Sequence, residues 1–344
     1  GPPVEAMTLR LQIRPYRFAL RRPLQTAQGC WRQRTGWLLR LEDPATGRLG
    51  WGELAPLDPG MGQRCAEALD GWLQPAAVCC DRPMLDARVQ HGPPPLAFAL
   101  GAALAELDGV VGSAAGEGQP WLPAPPSAQL LPAGEAMPAA LEHWLAAGQA
   151  GEGGTLKWKV AAADPALEWA LLATLQERLP PQVRLRLDAN AGWDRPTAER
   201  WAEALRGDPR LEWLEQPLAV DDLEGLEQLA QRGPVALDET LQVHPAWRQS
   251  WRGWQVRRPL LEGDPRPLLR QLQAGAPRLM FSTAFETGIG ARWLALLAAL
   301  QQRGPTPTAP GLAPGWCPPG PLFSQDPQQV WNAAAENASG MEES

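Results

Sequence analysis

Short apolar segments alternate with helical segments from residue 128 to residue 312, and this alternation constrains the fold more than any other feature of the chain. Helical periodicity separates most of the apolar segments, as at Asp164–Arg178 and Arg195–Leu205. Strands that alternate with helices pair in parallel through right-handed crossovers. The pattern predicts seven strands and a weaker eighth: Ala128–Leu131, Thr155–Val160, Val183–Asp188, Leu211–Glu215, Val235–Asp238, Gln255–Arg258, Leu279–Thr283 and Ala309–Leu312. We therefore expect an α/β fold built as a (β/α)8-type barrel.

A doubly wound sheet is the alternative arrangement of such units. It would carry a Gly-rich phosphate loop after an early strand, and the chain contains neither GxGxxG nor GxxxxGK[ST]. The barrel is therefore the preferred prediction.

The residues before this repeat predict a smaller unit in which strands come first. Leu9–Ile13 and Trp37–Glu42 have strand patterns, and the turn-like DPATG after the second indicates an antiparallel meander. The polar, Gly-containing segment Gln25–Arg34 is expected to be a loop between these strands. Helical periodicity follows at Cys65–Leu73 and Leu96–Leu107. A stretch rich in Pro, Gly and Ser then marks the boundary with the repeat.

Charge and cysteine usage exclude several classes of protein. The net charge is −7 and arginines are spread along the chain, which argues against a nucleic-acid partner. The chain has five cysteines, an odd number, and their spacing is irregular. This pattern predicts reduced thiols in a cytoplasmic protein rather than disulfides or a zinc site. No apolar run approaches the roughly 20 residues of a membrane span, and the first residues do not have the pattern of a signal peptide.

The two ends of the chain predict little structure. We expect residues 1–6 to be a remnant of cloning, with Met7 as the natural start. Residues 333–344 are expected to be a disordered tail. The oligomeric state cannot be derived from the sequence.

Three predicted strands in succession end in one carboxylate each: Asp188, Glu215 and Asp238. A single acid after a strand is more often a helix cap or a solvated loop residue. The series is harder to explain in that way, because the three acids are separated by about one strand–helix unit each and would lie on one arc of the barrel mouth. Converging carboxylates repel unless a cation holds them, and hard oxygen ligands favour Mg²⁺ or Mn²⁺.

Lys157 and Lys159 are the only lysines in a chain whose Lys and Arg residues number 31. Their period-two spacing places both side chains on one strand face, predicted to be the barrel interior. We expect a buried lysine beside a second cation to become acidic enough to act as a base near neutral pH. Arginine cannot replace it in that role. The alternative is that both lysines are exposed and have no function.

These residues resemble the motif set of the enolase superfamily, in its muconate-lactonizing-enzyme-like branch. The matching segments are KWK (157–159), DAN (188–190), EQP (215–217), DET (238–240) and RRP (257–259). Within that branch, residues 21–43 and 281–290 resemble the o-succinylbenzoate synthase family. The resemblance covers nearly the whole chain. It implies a barrel over residues 111–312 and an α+β capping domain formed by residues 7–110 together with about 313–332.

The resemblance also implies an activity, namely dehydration of 2-succinyl-6-hydroxy-2,4-cyclohexadiene-1-carboxylate to o-succinylbenzoate in menaquinone or phylloquinone biosynthesis. Mg²⁺, or Mn²⁺ in its place, would be held by the three carboxylates, and Lys159 would remove the proton α to the substrate carboxylate. Lys157 would lower the pKa of Lys159 and could contact that carboxylate. The resemblance also implies that Asn190 and Glu239 orient the metal ligands. The residues that it implies for binding of the succinyl tail are Ser282, Thr283, Gly29 and Arg34.

Arg258 is the one departure from this family pattern, which has Lys at that position. We expect Arg258, rather than Arg257, to point inward and to stabilise the anionic intermediate through its charge. A dehydration with one base on one face tolerates an arginine there. A racemase needs an acid/base on each face, so the departure disfavours an N-acylamino-acid racemase. A cycloisomerase and a non-catalytic barrel that binds a ligand remain as alternatives.

Overall fold

The computed structural model describes residues 8–26, 29–113, 116–148, 150 and 153–342. Its first sheet is antiparallel, with strand order β3-β2-β1-β4. These strands are β1 (Thr8–Thr26), β2 (Gly29–Asp43), β3 (Arg48–Leu54) and β4 (Val78–Asp81). The predicted antiparallel meander is therefore confirmed.

The expectation of a loop over Gln25–Arg34 is wrong for the residues of that segment that the structure describes, 25–26 and 29–34. β1 and β2 form one long hairpin in which Gln25 pairs with Cys30 and Thr26 pairs with Gly29. The register shifts between Ala19 and Leu24, and pairing then resumes. Cross-strand pairing therefore places residues 25–26 and 29–34 in strands, although their polar side chains suggested a loop.

Three helices cover one face of this sheet: α1 (Pro59–Ala68), α2 (Arg82–His91) and α3 (Pro94–Leu107). The predicted helix at Leu96–Leu107 is confirmed, and that at Cys65–Leu73 is confirmed only as far as Ala68. α3 lies very close to β3, because a Cβ on Gly50 would stand 1.9 Å from the carbonyl oxygen of Ala103. The LGWGEL segment therefore uses glycine to let strand and helix backbones meet.

The second sheet is parallel and contains seven strands in the order β11-β10-β9-β8-β7-β6-β5. The strands are β5 (Gln129–Leu131), β6 (Thr155–Lys159), β7 (Arg184–Asp188), β8 (Leu211–Glu215), β9 (Val235–Leu237), β10 (Trp254–Arg257) and β11 (Leu279–Phe281). The intervening helices are α4 (Met137–Ala146), α5 (Pro165–Arg178), α6 (Arg195–Ala204), α7 (Leu223–Ala230), α8 (Glu239–Val243), α9 (Trp247–Ser250) and α10 (Pro265–Gln273), and α11 (Gly288–Gln302) follows β11. All seven main strand predictions are confirmed to within about two residues at each end.

The predicted eighth strand at Ala309–Leu312 is wrong as a regular strand. The segment forms one isolated bridge, between Ser282 and Gly311. Its backbone reaches both edges of the parallel sheet, since Gly311 N donates to Phe281 O at 2.8 Å and Ala128 N donates to Pro310 O at 3.0 Å. Pro310 lacks an N–H, which prevents a continuous ladder here.

The C-terminal helix α12 (Pro327–Glu342) packs on the antiparallel sheet. Val330, Trp331, Ala333 and Ala334 are buried against β1 and its neighbouring strands. The predicted disordered tail is therefore wrong over residues 333–342, because an apolar helix face finds a partner far away in the sequence. Residues 1–7, including the expected cloning remnant, and residues 343–344 lie outside the described part of the chain. Within that part, no helix combines the length and hydropathy needed to cross a membrane.

Candidate active site

The carboxyl ends of β6 to β9 bring the predicted charges together. Lys159 is in register with Asp188, Asp188 with Glu215, and Glu215 with Ala236, two residues before Asp238. Residues in register on parallel strands share a face of the sheet. The residues between them, such as Trp158, Leu187 and Leu214, point outward into the core beneath the helices. The three carboxylates therefore share the inner face, where each is at most 3% exposed.

Lys157 lies between two of these carboxylates. Its Nζ is 3.1 Å from Asp188 Oδ2 and 3.5 Å from Glu215 Oε2. Burial lowers the pKa of Lys157, but Glu215 and Asp188 more than offset this and raise the pKa above its usual range. Burial, followed by the charge of Asp188, raises the pKa of Glu215, and Lys157 opposes that rise. The Lys157 charge is thus used to neutralise carboxylates.

Lys159 is exposed, contrary to the expectation of a buried base. It is the last residue of β6, so its side chain emerges where the sheet ends. Within the described residues its ammonium forms no ion pair. Glu168 fixes the turn that follows, because its carboxylate accepts hydrogen bonds from the backbone N–H groups of Ala161, Ala162 and Ala163.

Arg258 lies beside the third carboxylate, and Arg257 does not. Arg258 Nη2 donates to Asp238 Oδ2 at 3.0 Å, and Nη1 donates to the carbonyl oxygen of Thr283 at 2.9 Å. Burial lowers the pKa of Arg258, but the charge and hydrogen bond of Asp238 together with the charges of Glu239 and Glu215 outweigh burial and raise the pKa overall. Arg257 instead donates to Glu262, which also accepts from the backbone N–H of Arg258. Glu262 therefore holds both arginines in their opposite orientations.

Asn190 and Glu239 flank the carboxylates. Asn190 Nδ2 donates to Glu239 Oε1 at 3.1 Å, and the backbone N–H of Asn190 donates to Asp188 Oδ1 at 3.0 Å. Burial raises the pKa of Glu239 to about 8, with the charges of Asp238 and Asp188 adding to the effect. The two residues thus connect the end of β7 to the start of α8.

Two further residues hold the site together and were missed in the sequence. The Trp213 indole donates to Glu215 Oε1 at 3.1 Å. The Gln216 carboxamide accepts from the backbone N–H groups of Asp238 and Thr240 and donates to the Thr240 hydroxyl. Spacing could have identified Trp213, since it stands two residues before Glu215 on the same strand. Gln216 has no such periodic signal, because it acts across a loop.

The four predicted substrate-binding residues are not brought together in one place. Arg34 is fully buried and donates to the carbonyl oxygens of Pro56, Ala55 and Ala284 at 2.7, 3.0 and 2.8 Å. This guanidinium therefore joins the antiparallel unit to the segment after β11, and the prediction that it contacts substrate is wrong. Gly29 is exposed at the start of β2.

The other two lie on the segment after β11. The Thr283 hydroxyl donates to Glu286, so it is engaged within the protein. Ser282 is partly exposed, and its backbone N–H donates to the carbonyl oxygen of Arg257. Ser282 is the member of this pair whose hydroxyl remains suited to a ligand.

The chemistry of the donors fits a hard divalent cation. Three buried carboxylates lie on one face, and Glu215 Oε2 and Glu239 Oε2 are buried without a hydrogen-bond partner among the described residues. As the side chains stand in the described residues, no three acidic, His or Cys groups converge at metal-ligand spacing. Lys157 and Arg258 instead make the contacts to the carboxylates. Oxygen donors of this kind suit Mg²⁺ or Mn²⁺.

Comparisons with known proteins point to one family. The family described as "Enolase C-terminal domain-like" matches residues 138–252. The chain is 40% identical to o-succinylbenzoate synthase of Thermosynechococcus vestitus over 299 residues, which cover 82% of this chain and 86% of the relative. It is similar to the crystal structure of o-succinylbenzoate synthase from Thermosynechococcus elongatus BP-1 with magnesium in the active site, with a TM-score of 0.72, 34% identity and coverage of 94% and 99% of the two chains. The structure of the L-Ala-D/L-Glu epimerase of Bacillus subtilis has a TM-score of 0.63 at 20% identity, with coverage of 90% and 91%, and in sequence the same enzyme matches 91 residues at 40% identity, which cover 25% of each chain.

Proposed function

Because the chain belongs to the o-succinylbenzoate synthase family of the enolase superfamily, we propose that it is a Mg²⁺-dependent hydro-lyase of menaquinone or phylloquinone biosynthesis. Its substrate is 2-succinyl-6-hydroxy-2,4-cyclohexadiene-1-carboxylate and its product is o-succinylbenzoate. The observation that carries this proposal is the 40% identity along 86% of a relative of that name. The arc of Asp188, Glu215 and Asp238 beside two lysines supplies the chemistry that such a reaction needs.

Asp188, Glu215 and Asp238 are proposed to hold Mg²⁺. When bound, the ion stabilises the negative charge that develops on the substrate carboxylate. Lys157 and Arg258 neutralise the same carboxylates from either side, at 3.1 Å from Asp188 and 3.0 Å from Asp238. Asn190 and Glu239 then orient the ends of β7 and β9 around the site.

Lys159 is proposed to be the base. Its amine takes the proton from the carbon α to the carboxylate, so that a C–H bond breaks and its electrons move toward the carboxylate. The C–O bond on the adjacent carbon then breaks, and Lys159 returns the proton to the departing hydroxide to give water. The ring becomes aromatic, which drives the step. The exposed position of Lys159 leaves its Nζ open to a ligand at the end of the strand.

Arg258 favours the dehydratase over a racemase. Its guanidinium stays charged at working pH, so it stabilises an anion but does not exchange protons. A racemase requires a second acid/base on the opposite face. The epimerase in the comparisons matches this chain in sequence over only 25% of its length and otherwise resembles it in fold, so its activity is not carried over to this protein.

The substrate side of the site is proposed to include Ser282 and Gly29, which is exposed at the start of β2. We further propose that residues 308–312 close the parallel sheet into a barrel, because their backbone bonds to both of its edges. The antiparallel unit and α12 would form the capping domain, with Arg34 anchoring it rather than touching substrate. A cytoplasmic location accords with five free cysteines.

The test is a Mg²⁺-dependent assay of dehydration with the cyclohexadiene substrate. We expect Lys159→Ala and Lys159→Arg to lose activity by several orders of magnitude while circular dichroism and melting temperature stay near wild type. The matched control is Arg206→Ala, which removes an exposed surface cation. Near-full activity in Lys159→Arg would exclude Lys159 as the base.

A second assay separates the enzymatic alternatives. The wild-type protein is incubated with each enantiomer of an N-succinyl amino acid in ²H₂O, and exchange of the α proton is followed by NMR. Exchange of both enantiomers would contradict the single-base mechanism and favour a racemase.

A further inference from the structure

Trp213 is buried inside the parallel sheet directly below the candidate metal ligands. It stands two residues before Glu215 on β8, so both side chains are on the inner face. Its Nε1 donates to Glu215 Oε1 at 3.1 Å, and the two residues are 0% and 1% exposed. An indole N–H is a donor only, so this contact has one possible direction.

Two side chains hold the indole plane in place. The Arg186 guanidinium lies over one ring at 4.2 Å from its centroid. On the Trp254 side, the centroids of the Trp213 and Trp254 rings are 4.8 Å apart. Trp213 also packs with Ala236, Val256 and Met280 of the three following strands. The direction of the N–H is therefore set by packing across the interior.

Arg186 is itself fixed from across the interior. It is fully buried, and it donates from Nε to Glu212 Oε1 at 2.5 Å and from Nη2 to Thr308 Oγ1 at 2.9 Å and to the carbonyl oxygen of Ala309 at 2.6 Å. The Thr308 hydroxyl in turn donates to Glu212. A rigid connection thus runs from the segment at residue 308 through Arg186 and Trp213 to Glu215.

This connection decides which oxygen of Glu215 is available. Oε1 is taken by the indole, whereas Oε2 is buried and accepts no hydrogen bond within the described residues, with Lys157 Nζ at 3.5 Å. We propose that Trp213 is a positioning residue that fixes the Glu215 carboxylate so that Oε2 alone is presented to the metal ion. The inference rests on the proposed function, since it takes Glu215 to be a Mg²⁺ ligand. Groups that orient ligands in this way typically contribute roughly 10- to 100-fold in metal affinity.

The experiment measures Mg²⁺ binding to the purified full-length chain by isothermal titration calorimetry, without substrate. Trp213→Phe removes the N–H and part of the ring. In a second variant, 3-benzothienylalanine replaces Trp213, so that sulfur stands in place of the N–H and the shape is kept. The control is Trp293→Phe, because Trp293 is buried in α11 and its Nε1 has no hydrogen-bond partner in the described residues.

We expect both changes at position 213 to weaken Mg²⁺ binding about 10-fold or more, with Trp293→Phe at wild-type affinity. The benzothienyl variant should melt near the wild-type temperature without Mg²⁺, which separates positioning from folding. Wild-type affinity in the benzothienyl variant would overturn the inference and leave the proposed function intact. A wild-type protein that binds no Mg²⁺ would overturn both.

Discussion

Glu286→Gln is expected to stabilise the protein, and increasingly so as the pH rises. Glu286 is 4% exposed, and burial raises its pKa to about 7, with the charge of Glu53 as the next cause. Glu53 is also buried, but it accepts hydrogen bonds from the Tyr16 hydroxyl and from the backbone N–H groups of Thr287 and Gly290 at the start of α11. These donors stabilise the negative charge of Glu53. The repulsion between the two nearby carboxylates therefore acts mainly to raise the pKa of Glu286.

The magnitude follows from the shift. The pKa of this carboxyl is 4.5 in the unfolded chain and about 7 in the folded protein. Below pH 4.5 the group is neutral in both states, so it does not lower the free energy of unfolding. Above that pH the unfolded chain ionises first, so stability falls until the pH passes 7. The loss amounts to about 3 kcal/mol at pH 8 and under about 1 kcal/mol at pH 5. Glutamine keeps an oxygen for the Thr283 hydroxyl and the Ala284 N–H and removes the ionisation.

The measurement is urea unfolding of wild type and Glu286→Gln between pH 5 and pH 8. The control is Glu227→Gln, which removes an exposed carboxylate and changes the net charge by the same amount. The difference in unfolding free energy between Glu286→Gln and wild type should widen by about 2 kcal/mol across this range. A difference that does not change with pH would refute the assignment of the buried charge to Glu286.

Three further changes test other parts of the structure. Arg34→Ala should cost at least about 3 kcal/mol in urea unfolding, because it leaves buried carbonyls of Pro56, Ala55 and Ala284 without donors; a loss below about 1 kcal/mol would contradict the anchoring role. Gly50→Ala should lower the melting temperature sharply or prevent folding, since its Cβ would stand 1.9 Å from a carbonyl oxygen of α3, whereas Gly60→Ala, with its nearest atom at 3.6 Å, should fold normally. Removal of metal with EDTA should abolish dehydration and added Mg²⁺ should restore it; activity that survives exhaustive chelation would count against the metal.

The strands and their order along the chain were predictable because their signal is local. A short apolar run between two segments of helical periodicity is recognisable within a window of about a dozen residues. Parallel pairing then follows because strands and helices alternate along the chain. The placement of Asp188, Glu215 and Asp238 at one edge follows as well, since each ends a strand in successive units. The failures lie where the pattern is weak or the partner is distant. Cross-strand pairing holds residues 25–26 and 29–34 in strands, and α12 packs on a sheet that lies far earlier in the chain.

Side-chain roles divide along the same line. Strand geometry has a period of two, so residue order alone places Lys157 and Lys159 on one strand face and a carboxylate at the end of each of the next three strands. Which cation contacts which acid is instead a property of the folded chain. Lys157 forms ion pairs with Asp188 and Glu215, and Arg258 forms an ion pair with Asp238. Arg34 instead donates hydrogen bonds to backbone carbonyl oxygens. These contacts depend on distances between residues far apart in the chain, and no local pattern of residue types encodes such distances.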